Sequence, residues 1–424
     1  MTQPSLLVEI APTVRKLANG ITVLMEPLPH IHSVAAGLWI KTGSANERSE
    51  QAGISHFLEH LFFKGTTTRT ARQLMEAVES KGGHVNAFTS REYTCIYAKT
   101  LAAHLGTGIE ILADILKNSL FCDLEKERNV ILEEIASNED VPEEYAHDLF
   151  TERIWPGVPL GRPITGTLES VSGITLDDIR AYYSAWYFPE NVVVSIAGNF
   201  DCDRVFEQVR RELEGIPPRS ASSQRETPPF SSGHHYVTRD ITQTHLCFGF
   251  PGPSATDPQR YVYDMLSNSL GGGPISRLFE RIRENEGLAY AIYTFSSSYL
   301  TTGMMGVYAA VAPENLEKTI RLAFEEVRKL RDEPLPAAEL ETNREQLKGN
   351  LLMALENTSN RMTRMAKGML YHGRLLTIAE VVEAIDAVKA ADIQELAQGL
   401  FQPERCAMLV LGPEDGASKL DFAL

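Results

Sequence analysis

The chain has 424 residues, of which 43% are hydrophobic and 23% are charged. This length exceeds what one hydrophobic core usually serves, so we expect at least two globular domains and no dominant disorder. The formal net charge of −16 at pH 7 disfavours a nucleic-acid partner, because phosphate binding needs clustered Lys and Arg. The acidic surplus is compatible with cationic substrates, but an acidic surplus is also the commonest way for a protein to stay soluble, and solubility is the favoured explanation.

Targeting signals and cysteine usage favour a cytoplasmic protein. The first residues contain no basic segment followed by a long apolar run, and no later stretch approaches about eighteen uninterrupted apolar residues. The five cysteines are scattered and never form a Cys-x-x-Cys pair, which disfavours both a disulfide framework and a thiolate zinc site. We therefore expect a soluble cytoplasmic chain with no membrane partner.

The first half of the chain shows alternating strand and helix patterns, assigned from the period of the apolar residues and from glycine stops. In chain order, the predicted elements are a strand at 33–40, a helix around His56, a helix at 70–80 that ends at Gly82-Gly83, strands at 84–90 and 93–99, and a helix at about 105–116.

A segment rich in proline and serine, residues 217–232, is predicted to link an N-terminal domain, 1–216, to a C-terminal domain, 233–424. The second domain repeats the order of the first. Its predicted elements are a strand at 245–250, helices at 261–270 and 276–284, strands at 288–295 and 304–311, and a helix at 316–330. The repeated order indicates duplication. It predicts an α+β fold of two duplicated α/β sandwich domains, each a mainly antiparallel sheet with helices packed on it.

The segment His56-Phe57-Leu58-Glu59-His60 is typical of a metal site. In a helix, residues four apart share a face, so His56 and His60 can direct their imidazoles to one ion, with Glu59 beside them as a candidate base. Apolar residues surround the motif, and unpaired charges in such a setting are costly, which favours a bound cation. The alternative interpretation is an ion-paired helix with hydrogen-bonded histidines.

Catalytic zinc sites keep three protein ligands, so a third ligand must come from outside this helix. The acidic segment 125–135 supplies candidates. Glu127 and Glu134 are seven residues apart and share one helical face, whereas Glu133 points about 100° away from that face. If Glu134 binds the metal, Glu127 can lie beside it and orient a ligating histidine. Surface charge is the alternative for any single glutamate of this segment.

Segments in both halves resemble the pitrilysin family of zinc metallopeptidases, which carries the inverted His-x-x-Glu-His motif. The similarity covers nearly the whole chain and is to the two-domain bacterial branch that resembles subunits of the mitochondrial processing peptidase. The segments that carry the resemblance are residues 53–66, 86–92, 128–134, 159–164, 271–273, 276–279 and 283–290.

The resemblance implies a role for each matching residue of the metal motif. It places the Zn²⁺ ligands at His56, His60 and Glu134, the general base at Glu59, and a supporting acidic residue at Glu127. These assignments agree with the helical-face argument.

The resemblance also implies where substrate binds. An extended peptide is expected to add as a further strand to 84–90, where it meets Asn86 and the backbone at Ala87, so His84 is interpreted as strand surface. Substrate-gripping residues fall on Arg283 and Tyr290. Without the resemblance, Arg283 would be interpreted as a helix-end charge and Tyr290 as a core ring.

The same resemblance implies that the chain acts as a dimer. In the two-domain branch, a partner chain closes a chamber around the substrate and supplies the arginine and the tyrosine. This chain carries both the metal set and the Arg283/Tyr290 set, so a homodimer is the simplest active form, with a heterodimer with a related subunit as the alternative.

The function implied is hydrolysis of extended or unfolded peptides by a zinc metalloendopeptidase, in which Glu59 deprotonates a metal-activated water that attacks the peptide carbonyl. Two alternatives without hydrolysis stay open: a structural subunit and a peptide-binding scaffold of the same fold.

Overall fold

The structure is a computed structural model that describes residues 11–219 and 226–413; part of the predicted linker, residues 220–225, lies outside the described residues. The strands are β1 (Thr13–Lys16), β2 (Thr22–Pro27), β3 (Ser33–Ile40), β4 (His84–Thr89), β5 (Thr94–Leu101), β6 (Val192–Gly198), β7 (Gly233–Thr238), β8 (Thr244–Gly252), β9 (Ala289–Ser298), β10 (Gly303–Val311) and β11 (Ala407–Gly412).

The α-helices of the described residues are α1 (Ile54–Leu61), α2 (Ala71–Glu79), α3 (Leu105–Asn118), α4 (Leu124–Glu139), α5 (Pro142–Ile154), α6 (Leu168–Gly173), α7 (Leu176–Trp186), α8 (Cys202–Leu213), α9 (Arg260–Gly271), α10 (Leu316–Asp332), α11 (Ala337–Ala354), α12 (Thr358–His372), α13 (Ile378–Ala387) and α14 (Ala390–Leu400). The helix predicted at 276–284 is π-helical over Phe279–Asn285. Among the described helices, none combines the length and the apolar character needed to span a bilayer.

The chain divides into two compact units that are not contiguous in sequence. Of the described residues, unit 1 contains 11–135, 163–219 and 352–379, and unit 2 contains 136–162, 226–351 and 380–413. The boundaries predicted from composition are contiguous, and they differ from these units at two segments, 136–162 and 352–379. Each of these segments includes a helix that covers a sheet face.

Unit 1 is built on a six-stranded sheet of order β1-β2-β6-β3-β5-β4. Only β2 and β6 pair in parallel; the other neighbours are antiparallel. One face packs against apolar side chains of α1, α2, α3, α7 and α8, which form the larger core of the unit. The opposite face is covered by α12, whose Met362, Met365 and Ala366 pack on Trp39. The edge strand β4 is therefore supported by a sheet that is buried on both faces.

Unit 2 repeats this plan with a five-stranded sheet of order β7-β11-β8-β10-β9. Its one parallel pair is β7 with β11, and the other pairs are antiparallel. Helices α9, α10 and α14 pack on one face, and α5 contacts β8 and β11. Without β1, the strand orders of the two units correspond position by position, so the predicted α+β fold of two duplicated domains is confirmed.

Candidate metal centre

Gly53 caps the start of helix α1; its left-handed conformation (φ +90°) suits glycine, and a side chain there would meet the Thr165 carbonyl oxygen at 2.5 Å. The buried carboxylate of Glu47 accepts the backbone N–H groups of Gly53 (2.7 Å) and Ser55 (2.8 Å). It thereby satisfies two donors that a helix start leaves unpaired.

The apolar residues of α1 fix its orientation. Ile54, Phe57, Leu58 and Leu61 are fully buried at i, i+3, i+4 and i+7, which is the core-facing stripe of an amphipathic helix. The polar residues of the motif then lie together on the remaining side of the helix.

Three side chains of unit 1, His56, His60 and Glu134, converge on one point. His56 Nε2 lies 3.6 Å from Glu134 Oε1, and His60 Nε2 lies 3.6 Å from Glu134 Oε2. One ligand atom from each residue lies within 4.8 Å of the other two, and within the described residues this is the one such group of His, Cys, Asp or Glu. Tetrahedral zinc with bonds of about 2.0–2.1 Å holds its ligand atoms about 3.4 Å apart. The spacing and the His, His, Glu composition therefore fit a zinc ion.

Burial and local charge hold His56 and Glu134 in the forms that bind metal. Burial lowers the pKa of His56 to about 4, which keeps its imidazole neutral. The hydrogen bond with His60 lowers the pKa of Glu134, which keeps that group a carboxylate. For His60, burial lowers the pKa, but hydrogen bonds with Glu134 and Glu127 outweigh burial and raise it. The raised pKa favours the protonated form of His60, so a metal ion that binds here displaces a proton from His60.

Glu127 lies behind His60 and is the acidic neighbour that the sequence predicts. Its Oε2 is 3.3 Å from His60 Nδ1, and its Oε1 is 2.7 Å from Lys64 Nζ. The residue is only 3% exposed, whereas Glu133 is exposed. A buried carboxylate on the second ring nitrogen orients an imidazole and leaves the first nitrogen free for a metal.

Glu59 lies beside the metal-ligand set and is held by a strand residue. Thr89 Oγ1 donates to Glu59 Oε2 at 2.6 Å. Burial raises the pKa of Glu59, and the charge of Glu134 raises it further, while the hydrogen bond from Thr89 opposes the shift. A carboxylate of increased basicity next to a metal site suits proton transfer.

Strand β4 carries the predicted substrate residues at the edge of the unit 1 sheet. Val85 and Ala87 are buried, while His84 and Asn86 are exposed, as the two-residue period of a strand requires. The Ala87 N–H donates to Asn86 Oδ1 at 2.9 Å. In the described residues β4 pairs only with β5, so its other side can accept a further strand. His84 lies outside the cluster of metal ligands.

Arg283 and Tyr290 lie together in unit 2. The Arg283 guanidinium is 5.6 Å from the centre of the Tyr290 ring and 4.7 Å from that of Phe279. Tyr290 is 78% exposed, so its ring does not belong to the core. At 5.6 Å, the Arg283 guanidinium is within cation–π range of the exposed Tyr290 ring.

Three residues of the site had no role assigned from the sequence: Glu47, Lys64 and Thr89. Lys64 and Thr89 lie within segments that carry the family resemblance, and that was the available signal. Glu47 has no local signal, because it contacts α1 through a loop whose course only the fold determines.

Comparison with family models gives two adjacent matches. Residues 22–168 match the model described as "Insulinase (Peptidase family M16)", and residues 173–347 match "Peptidase M16 inactive domain". The first match contains the whole candidate metal centre.

Curated relatives extend over nearly the full length. The chain is 38% identical to the "Uncharacterized zinc protease YmxG" of Bacillus subtilis, over 92% of this chain and 96% of the relative. It is 35% identical to an uncharacterized zinc protease of Streptomyces coelicolor, over 97% of this chain and 93% of the relative.

Solved structures share the fold at lower identity. A protease from Helicobacter pylori superposes with a TM-score of 0.89 at 22% identity, covering 95% of this chain and 99% of that one. A putative M16-like peptidase from Alicyclobacillus acidocaldarius gives a TM-score of 0.85 at 21% identity, covering 97% of this chain and 100% of that one.

Proposed function

The chain belongs to peptidase family M16, the insulinase family, and we propose that it is a zinc metalloendopeptidase that hydrolyses extended or unfolded peptides. The observation that carries the proposal is the convergence of His56, His60 and Glu134 with ligand spacing that fits zinc. Relatives described as zinc proteases over more than nine-tenths of both chains support the same metal.

Zinc, when bound, supplies Lewis-acid chemistry: it acidifies water and polarises a peptide carbonyl. Glu59 removes the proton from the attacking water and delivers it to the leaving amine. Glu127, held by Lys64, orients His60. Each of these groups lies in unit 1.

The peptide pairs with the edge of β4 and contacts Asn86 and the backbone at Ala87. Pairing through backbone hydrogen bonds requires an extended chain, which selects unfolded segments over folded ones. Side chains then tune specificity without determining whether a peptide binds.

The chain acts as a dimer in this proposal, with Arg283 and Tyr290 supplied by the partner, either a second copy or a related subunit. Two inactive variants test the homodimer: Glu59→Gln lacks the base, and Arg283→Gln lacks the substrate contact. Mixed and re-equilibrated, they form heterodimers in which one site is complete. We expect activity to recover to about a quarter of the parent level if the variants mix randomly. No recovery, with exchange verified by mass spectrometry, would exclude sharing of the site.

The alternative function is a structural subunit or a peptide-binding scaffold without hydrolysis, which the match of residues 173–347 to an inactive domain keeps open. Incubation of the zinc-loaded protein with an unstructured peptide, followed by mass spectrometry, discriminates between them. The proposal predicts chelator-sensitive cleavage by the parent. It predicts zinc binding but no products for Glu59→Gln, and neither binding nor products for His60→Ala. Peptide binding without products by the parent would favour the scaffold.

The cytoplasmic location remains part of this proposal. It rests on the five cysteines of the sequence, which are scattered and never form a Cys-x-x-Cys pair.

A further inference from the structure

The hydroxyl of Thr89 connects the edge strand of unit 1 to the carboxylate of Glu59. Its 2.6 Å distance to Glu59 Oε2 is much shorter than its 3.4 Å distance to the Ser55 carbonyl oxygen, so the single hydroxyl proton points to the carboxylate. In residues 11–219 and 226–413, Thr89 is the one side chain that donates a hydrogen bond to Glu59.

Thr89 is itself held firmly, which makes it a suitable anchor. It is the last residue of β4 and pairs with Thr94 across the sheet. The following turn is closed by Ser90 N–H, which donates to the Tyr93 carbonyl at 2.8 Å, and by Ser44 N–H, which donates to the Ser90 carbonyl at 3.2 Å. A side chain at Gly43 would meet the Ser90 oxygen at 2.1 Å, so the backbone segments are in close contact.

The two-residue period of the strand places Thr89 on the face of β4 that packs on α1, the helix that carries Glu59. Thr89 shares the face of β4 that carries the buried Val85 and Ala87, and this face packs on α1. Asn86, three residues earlier, projects to the opposite face. One short strand therefore offers its open edge to a peptide and a hydroxyl to the proposed base.

We propose that Thr89 is a positioning residue for peptide hydrolysis: it fixes the carboxylate of Glu59 relative to the strand edge on which the substrate pairs. This inference rests on the proposed function. A glutamate side chain has three rotatable bonds, and without the hydroxyl only the backbone N–H of Thr89 remains to hold the carboxylate. The carboxylate then samples orientations from which water is not deprotonated toward the carbonyl. Thr89 acts on the step that follows binding, so its loss lowers kcat and leaves KM nearly unchanged.

The experiment compares matched variants of the full-length, zinc-loaded protein on an unstructured fluorogenic peptide. Thr89→Val keeps the shape and the strand preference but removes the hydroxyl, and Thr89→Ser keeps the hydroxyl. Thr94→Val is the control, since it removes a buried hydroxyl from the paired position, where Thr94 donates to the Thr42 carbonyl.

We expect kcat to fall about 10- to 100-fold in Thr89→Val, with KM within about twofold of the parent value. We expect Thr89→Ser to restore most of kcat, and Thr94→Val to retain it. Zinc affinity, measured by chelator competition, stays at the parent value in all three variants, because the hydroxyls of Thr89 and Thr94 donate to Glu59 and to the Thr42 carbonyl, neither of which is a proposed metal ligand. If Thr89→Val fails to fold, Thr89→Ala replaces it in the comparison with Thr89→Ser.

Three results would overturn the inference: parent-like kcat in Thr89→Val, equal loss in Thr89→Ser, or equal loss in Thr94→Val. A loss of zinc affinity in Thr89→Val would also overturn it, since the residue would then act on the metal site. Absence of chelator-sensitive cleavage by the parent is a separate result, which removes the proposed function and the inference with it.

Discussion

Replacement of Lys64 by methionine tests whether the groups behind His60 determine metal affinity. Lys64 Nζ contacts Glu127 Oε1 at 2.7 Å, and the other carboxylate oxygen lies 3.3 Å from His60 Nδ1. Glu127 is buried, so the loss of Lys64 leaves a carboxylate with His60 as its remaining ion-pair partner. That carboxylate loses one of the two contacts that hold it in place, so it orients the imidazole less well.

The expected loss is about 10- to 100-fold in zinc affinity, or about 1.4–2.8 kcal/mol, which is the range measured for partners of ligating histidines. Lys64→Arg keeps a cation within reach of Glu127 and should recover most of the affinity. The assay is competition with a chelator of known zinc affinity, performed on the full-length protein at neutral pH. Lys117→Met is a matched control, since Lys117 is a half-buried lysine of unit 1 that contacts Glu212.

The reasoning is refuted if Lys64→Met binds zinc as the parent does while Glu127→Gln binds it more weakly. The carboxylate would then orient His60 without help from the lysine. Equal weakening in Lys117→Met would instead indicate a general loss of stability.

Three further predictions concern the scaffold of the site. Glu47→Gln replaces the carboxylate at the start of α1, so the free energy of unfolding in urea should fall by about 1–2 kcal/mol; no change would show that backbone donors find water instead. Gly53→Ala should cost about 1–3 kcal/mol by the same assay, because φ is +90° and the Thr165 oxygen is too close. Asp114→Asn should cost about 2–3 kcal/mol, since Asp114 accepts hydrogen bonds from Thr66 and from Arg69, among others. Those bonds outweigh burial and lower the pKa of Asp114. The carboxylate therefore makes its full contribution to the free energy of unfolding above its unfolded-state pKa of about 4, and this contribution is lost as the pH falls through the lower, folded-state pKa. The penalty should therefore be equal at pH 7 and pH 5, and a smaller penalty at pH 5 would contradict the lowered pKa.

Local helical geometry made the metal centre predictable. His56 and His60 are four residues apart, and Glu127 and Glu134 are seven apart, so one turn and two turns of helix determine which side chains share a face. The structure places these residues together and leaves Glu133 exposed, as the spacing requires. The pairing of the two helices with each other came from the family resemblance, since spacing says nothing about which helices meet.

The contacts that support the site depend on the tertiary fold and could not be predicted in this way. Glu47 reaches α1 across a loop, and Thr89 reaches Glu59 from a strand thirty residues further along the chain. The composition of 217–232 suggested one cut through the chain, but α5 and α12 complete sheets formed mainly by the other half of the sequence. The apolar stripe of an amphipathic helix predicts that the helix packs on an apolar surface, but it does not predict which sheet provides that surface.

The two units share a fold but differ in the side chains that could carry out chemistry. Without β1, the two sheets have corresponding strand orders and one corresponding parallel pair each, and both have an edge strand, β4 or β9, at the corresponding position. In unit 2 the helix after the second strand, α9, has no histidine, and the described residues of that unit contain no metal-ligand group like that of α1. Residues 173–347 accordingly match a domain described as inactive. The strand β9 carries the exposed Tyr290 instead, stacked with Arg283. A shared scaffold thus holds two different edges: β4 lies next to α1 and the metal-ligand group, whereas β9 carries Tyr290 beside Arg283. The identity of a few side chains, and not the architecture, distinguishes the two units.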